Sequence, residues 1–71
     1  MDETFDIHIK FTSGDSTVEA NKNITHVHSA IQRLHTGPAA AMGMIAEVKV
    51  VDIQDCTVFL SQNGKVIFPK R

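Results

Sequence analysis

The dipeptide Asn63-Gly64, set between two apolar runs, constrains this chain more than any other feature. Both central residues of a type I′ turn need positive φ, and Asn-Gly meets that need at low steric cost, so the pair predicts a tight β-hairpin within residues 56–68. With a two-residue loop, Gln62 pairs with Lys65, Ser61 with Val66, Leu60 with Ile67 and Phe59 with Phe68. Directly opposed residues share a face. Val58, Leu60 and Ile67 then occupy one side of the ribbon, and Phe59, Val66 and Phe68 the other. Neither is a water face, so one of them needs a cover.

Upstream, Phe5, Ile7, Ile9 and Phe11 alternate with Asp6, His8, Lys10 and Thr12, a period of two that predicts a half-buried strand. Ser13-Gly14-Asp15-Ser16 supplies a polar turn, and Thr17 to Ala20 a short return strand with Val18 and Ala20 inward. Asn23 suits the N-cap of a helix, because its side-chain oxygen can accept an otherwise unpaired N–H of the first turn. At about 100° per residue, Ile24, Val27, Ala30, Ile31 and Leu34 fall on one side of that helix, with His26, Ser29 and Arg33 opposite. Gly37 and then Pro38 end it near His35 or Thr36. Residues 38–44 admit either one further helical turn over 39–42 or a loop whose small side chains let two backbones approach. Ala46, Val48 and Val50 next alternate with Glu47 and Lys49 until the phase slips to Val51 and Ile53, which predicts a bulge near Val50-Val51. Gln54-Asp55 turns the chain into the final hairpin. The order is β-β-α-β-β-β, an α+β fold with one helix packed on a mostly antiparallel sheet, in a single domain over residues 1–71.

One helix shelters one face of such a sheet, so the spare apolar face predicts a layer from a second subunit, most simply a C2 homodimer. Size argues the same way. At 71 residues a lone core barely offsets conformational entropy, and the single cysteine, Cys56, leaves no intramolecular disulfide as a staple. Phe59, Val66 and Phe68 are therefore the candidate partner or dimer interface. Ala39, Met42 and Met44 join them as small or adaptable contacts.

Charge gives little footprint for nucleic acid or an anionic membrane, since 7 Lys and Arg stand against 8 Asp and Glu. Its distribution is uneven: Asp2, Glu3, Asp6, Asp15 and Glu19 face only Lys10 near the start, whereas Lys65, Lys70 and Arg71 close the chain. This mild dipole either sets register between subunits or is ordinary solvated surface. The first residues lack the basic and apolar regions of a signal peptide, and no apolar run approaches the ~20 residues that span a bilayer. A soluble, cytoplasmic protein is the expectation.

Four histidines invite a metal reading. His26 and His28 lie about 200° apart on a helix, and His28 and His35, though on one side, are separated by about 10 Å along the axis. His8 belongs to the polar side of the first strand. The plain alternative is a set of helix-boundary histidines whose titration makes stability or assembly respond to pH between about 5 and 8. Cys56 has Asp55 beside it, which disfavours a thiolate, and reads as structural rather than nucleophilic. No Gly-x-Ser-x-Gly elbow positions a serine. Ser13-Gly14-Asp15-Ser16-Thr17 lacks a Walker lysine and leads into a strand, so it reads as a turn rather than a phosphate cradle. Phe5, Phe11, Phe59 and Phe68 lack the interleaved basic residues of a base-stacking platform. Neither catalysis nor a cofactor or metal is expected.

The layout from Phe5 to Phe68, an alternating first strand, one helix after Asn23 and a last hairpin turning at Asn63-Gly64, resembles that of small phage-encoded anti-defence proteins, the anti-CRISPR inhibitors in particular. The resemblance is one of layout and carries no functional residue across. It implies action without catalysis, by occupying a surface of a host defence complex or, in related families, by sequestering a nucleotide signal between subunits. The weak acidity departs from the strongly acidic DNA mimics of that group. The expected function is a non-enzymatic protein-binding module, an accessory inhibitor of a phage or mobile element that docks as a homodimer on a larger host protein. The alternative is a dimer that holds a nucleotide or similar small anion through His28, Arg33 and His35. A third reading, nucleic-acid binding, would bring steep salt dependence.

Overall fold

The computed structural model describes residues 3–69; Asp2, Lys70 and Arg71, which figure in the charge asymmetry, lie outside them. The elements are β1 (Phe5–Phe11), β2 (Ser16–Lys22), α1 (Ile24–Thr36), α2 (Pro38–Ala41), β3 (Ile45–Val51), β4 (Thr57–Gln62) and β5 (Lys65–Phe68). One antiparallel sheet runs in the order β2-β1-β3-β4-β5, with α1 against it. This is the α+β arrangement that the patterning predicts. No helix among the described residues is long and apolar enough to cross a membrane.

The alternation of β1 decides the core. Phe5, Ile7 and Ile9 point under the helix and are buried with Val48 and Val50 of β3 and Val27 and Ala30 of α1. Ile7 is opposite Val50, and Ile9 opposite Val48. Ala30 is fully buried, and a methyl side chain there lets the helix lie close to the sheet. Phe11, Ile31, Leu34, Ile45 and Phe59 pack around this centre. On the reverse face, Asp6, His8 and Lys10 oppose Val51, Lys49 and Glu47. Lys10 Nζ lies 3.7 Å from Glu47 Oε2, and Gln62 Nε2 donates to Glu47 Oε1 at 3.0 Å. That face is largely a water face.

Several local devices match the sequence closely. Asn63 and Gly64 have φ of 53° and 80°, as a type I′ turn requires. Asn23 Oδ1 accepts the His26 N–H at 2.8 Å, capping α1. Within residues 38–44, Pro38–Ala41 form the further helical turn, α2, one residue earlier than the 39–42 expected. Gly37 ends α1 for a steric reason rather than a left-handed one. Its φ is −80°, but a Cβ there would stand 2.5 Å from the Arg33 carbonyl oxygen, which accepts the Gly37 N–H at 2.8 Å.

Three expectations change. Val18 and Ala20 do not point inward: Val18 opposes His8 on the outer face and is 52% exposed. The loop after Phe11 fixes Lys10 opposite Ser16, and this parity sends Glu19, opposite Ile7, to the helix side instead. The register does shift at Val50/Val51, but the extra residue is Val58 on β4, since Val50 opposes Phe59 and Val51 opposes Thr57. Finally, β5 carries a bulge at Ile67, so Leu60 opposes Phe68 rather than Ile67. Ser61–Val66 and Gln62–Lys65 pair as the turn demands.

Replacing Gly37 by Ala should destabilise the fold by about 1–3 kcal/mol, because the added methyl must displace backbone. Urea denaturation followed by circular dichroism measures it, and an unchanged midpoint would mean that the α1–α2 corner yields without cost.

Candidate functional site

Helix α1 lies over β1 and β3, and its flank toward β4 and β5 borders an open apolar groove. The lining comes from Ile24, Val27, His28 and Ile31 on the helix, Val58 and Phe59 on β4, Val66 and Ile67 on β5, and Phe5 beneath, with Glu3, Lys65 and Pro69 completing it. Its volume is about 1030 Å3. The bulge at Ile67 puts two consecutive apolar side chains of β5 on this side. Val66 is 51% exposed and Ile24 49%, so neither is a settled core residue.

The expected interface residues divide into three groups. Phe59 and Val66 meet in the groove. Phe68, expected beside them, is carried by the bulge to the outer face next to Leu60, where it is also exposed. Ala39, Met42 and Met44 sit around α2 and the turn into β3, away from the groove lining. There the Met44 carbonyl accepts the Thr12 N–H at 2.9 Å, and the Met42 side chain is 75% exposed.

The residues considered for anion binding face three different neighbours. His28 is on the groove wall. Arg33 reaches Glu19 Oε2 at 3.9 Å, and Glu19 Oε1 also contacts His26 Nε2 at 3.0 Å. His35 turns inward: Nδ1 is 2.7 Å from the Ile31 carbonyl oxygen and Nε2 is 2.9 Å from Ser61 Oγ. A carbonyl only accepts, so in the neutral ring Nδ1 carries the proton and Nε2 accepts from the serine hydroxyl. Within one protomer the three do not converge on a single position.

No sequence motif singles out Ser61. It is the next-to-last residue of β4, opposite Val48 and Val66, and is 2% exposed. Its hydroxyl is satisfied by His35, whose ring also meets Phe59 edge-on, with centroids 5.9 Å apart and planes at 89°. The pair ties the last turn of α1 to β4. A smaller cavity of about 220 Å3 borders it, with Thr12, Gly43, Glu47 and Asn63 among its other walls. Cys56 is exposed in the turn that precedes β4, where its N–H donates to Asp52 Oδ1 at 2.9 Å. Among the described residues, no group of three or more His, Cys, Asp or Glu side chains is placed to hold a metal ion.

Ser61→Ala should cost about 1–3 kcal/mol, because it leaves the imidazole acceptor without its partner. A double-mutant cycle with His35→Ala checks the tie: a coupling energy near zero would show that the two groups do not act together. No protein-family model, curated protein or solved structure matches this chain.

Proposed function

We propose that this chain is a protein-binding module that acts by covering a surface of another protein, with the groove between α1 and the β4–β5 hairpin as its docking face. The observation that carries this reading is the row of half-exposed aliphatic side chains along the groove, Ile24, Val58, Val66 and Ile67. Their contiguity in a concave surface is what a protein contact uses, whereas isolated surface aliphatics need no explanation. In its finer form, drawn from the resemblance in layout, the module is an accessory inhibitor from a phage or mobile element. It would work by occupying a host complex.

A tagged copy used as bait against a bacterial extract should retain a specific partner, and Val66→Glu should lose it while keeping the same circular dichroism spectrum. A charge at the centre of an apolar contact must be desolvated without a counter-charge, so binding should fall by at least about tenfold. Equal retention by the variant would place the docking face elsewhere.

A further inference from the structure

We infer that the outer edge of β2 pairs with the same edge of a second copy of this chain, antiparallel about a dyad at Val18, so that the two sheets join into one. The groove takes no part in this contact. β2 closes one side of the sheet and pairs only with β1. The hairpin decides which of its backbone groups face outward. The Phe11 N–H donates to the Asp15 carbonyl at 2.9 Å, and Lys10–Ser16, Ile9–Thr17, His8–Val18 and Ile7–Glu19 follow in register. Bonded and non-bonded pairs alternate along an antiparallel ladder, so Thr17 and Glu19 bond to β1 while Ser16, Val18 and Ala20 turn their N–H and C=O groups away from it. The Asn21 N–H points back, donating to Asp6 Oδ1 at 3.0 Å. The carbonyl of the same trans peptide, that of Ala20, is therefore directed outward. Among the described residues, no hydrogen bond outside the ladder reaches Ser16, Val18 or Ala20.

Open edges are normally guarded by charge, Pro or a bulge, and this one is open over most of its length. Residues 16–20 contain no Pro, Lys or Arg, and the register is regular from Ser16 to Glu19. Their one charge is drawn toward α1, since Glu19 Oε1 lies 3.0 Å from His26 Nε2 and Oε2 lies 3.9 Å from the Arg33 guanidinium. A dyad at Val18 sets Val18 against its twin and Ser16 against Ala20 on the outer face, with Thr17 against Glu19 on the helix face. Every outward residue of both strands then enters a bonded pair. Centring on Ser16, Thr17 or Ala20 would carry an outward residue past the end of the other strand, and centring on Glu19 would oppose two carboxylates. The charges at the strand ends match as well. Asp15, opposite Phe11, precedes β2, and Lys22, opposite Phe5, ends it, so both belong to the helix face. Neither forms an ion pair among the described residues, and the dyad brings Asp15 of each copy to the Lys22 end of the other. Val18, 52% exposed in one protomer, is covered by its twin.

A contact along one strand is smaller than a standard interface, so sedimentation equilibrium should run from about 10 μM to about 1 mM. The wild type should show a monomer–dimer equilibrium in that range. Val18→Pro removes an outward N–H that β1 does not use, a change edge strands tolerate; it should give a monomer with an unchanged circular dichroism spectrum. Val18→Lys places two like charges at the dyad and should weaken the dimer at least about tenfold. Val66→Glu, in the groove, should leave dimerisation intact, so this inference and the groove reading fail separately. Amide exchange followed by NMR supplies a readout on the wild type: the Val18 and Ala20 N–H groups should exchange fast when dilute and slowly when concentrated, with Thr17 and Glu19 protected at both. A strict monomer at about 1 mM overturns the inference. So does a dimer indifferent to Val18→Lys, or protection of the Val18 N–H that appears only when a different protein is added.

Discussion

The mismatch between the width of one helix and the width of five strands governs this structure. An α-helix with its side chains is about 10 Å across, whereas five strands at about 4.8 Å spacing span about 19 Å. Helix α1 settles where the largest apolar row is, over Phe5, Ile7 and Ile9 of β1 and Val48 and Val50 of β3. Covering those strands leaves the β4–β5 end of the same face without a roof. The exposed aliphatics of the hairpin are thus a geometric remainder of a well-made core rather than a defect in it.

Polar groups hold the helix at that position. Asn23 closes its first turn, Glu19 meets His26 and Arg33 on the β2 side, and His35 reaches Ser61 on the β4 side. The buried Ser61–His35 bond matters most among these, since a buried hydroxyl needs a partner and only one ring orientation supplies it. The half-buried Glu19 contacts, open to solvent on the His26 and Arg33 side, are individually weaker. Rotating α1 about its axis would break contacts on both flanks at once, so the groove wall made by Ile24, His28 and Ile31 is fixed in place.

Much of this is legible in the residues. The period-two run of β1, the spacing of α1 with its cap and stop, and the Asn-Gly turn each state a local geometry that tertiary packing does not override. The groove itself is legible only as surplus apolar side chains, and parity alone assigns that surplus to the opposite face. Two single-residue bulges explain the difference. At Val58 and Ile67 one strand gains a residue on its partner, and alternation no longer predicts which side a chain position occupies. Val18 departs from expectation for a related reason, because the hairpin loop rather than hydrophobicity fixes the phase of β2. Ser61 gives no sequence cue: its partner His35 is 26 positions away and on another element.

The two margins of the sheet are unequal in a way that bears on solubility at high concentration. β5 is short, kinked and closed by a residue without an N–H, whereas β2 presents seven residues, irregular only near Asn21. Open-ended growth of native sheets edge to edge needs two free margins. A folded chain with one obstructed margin can at most pair off through the other, so a fold that leaves greasy side chains in reach of water still limits strand addition between native copies to pairs.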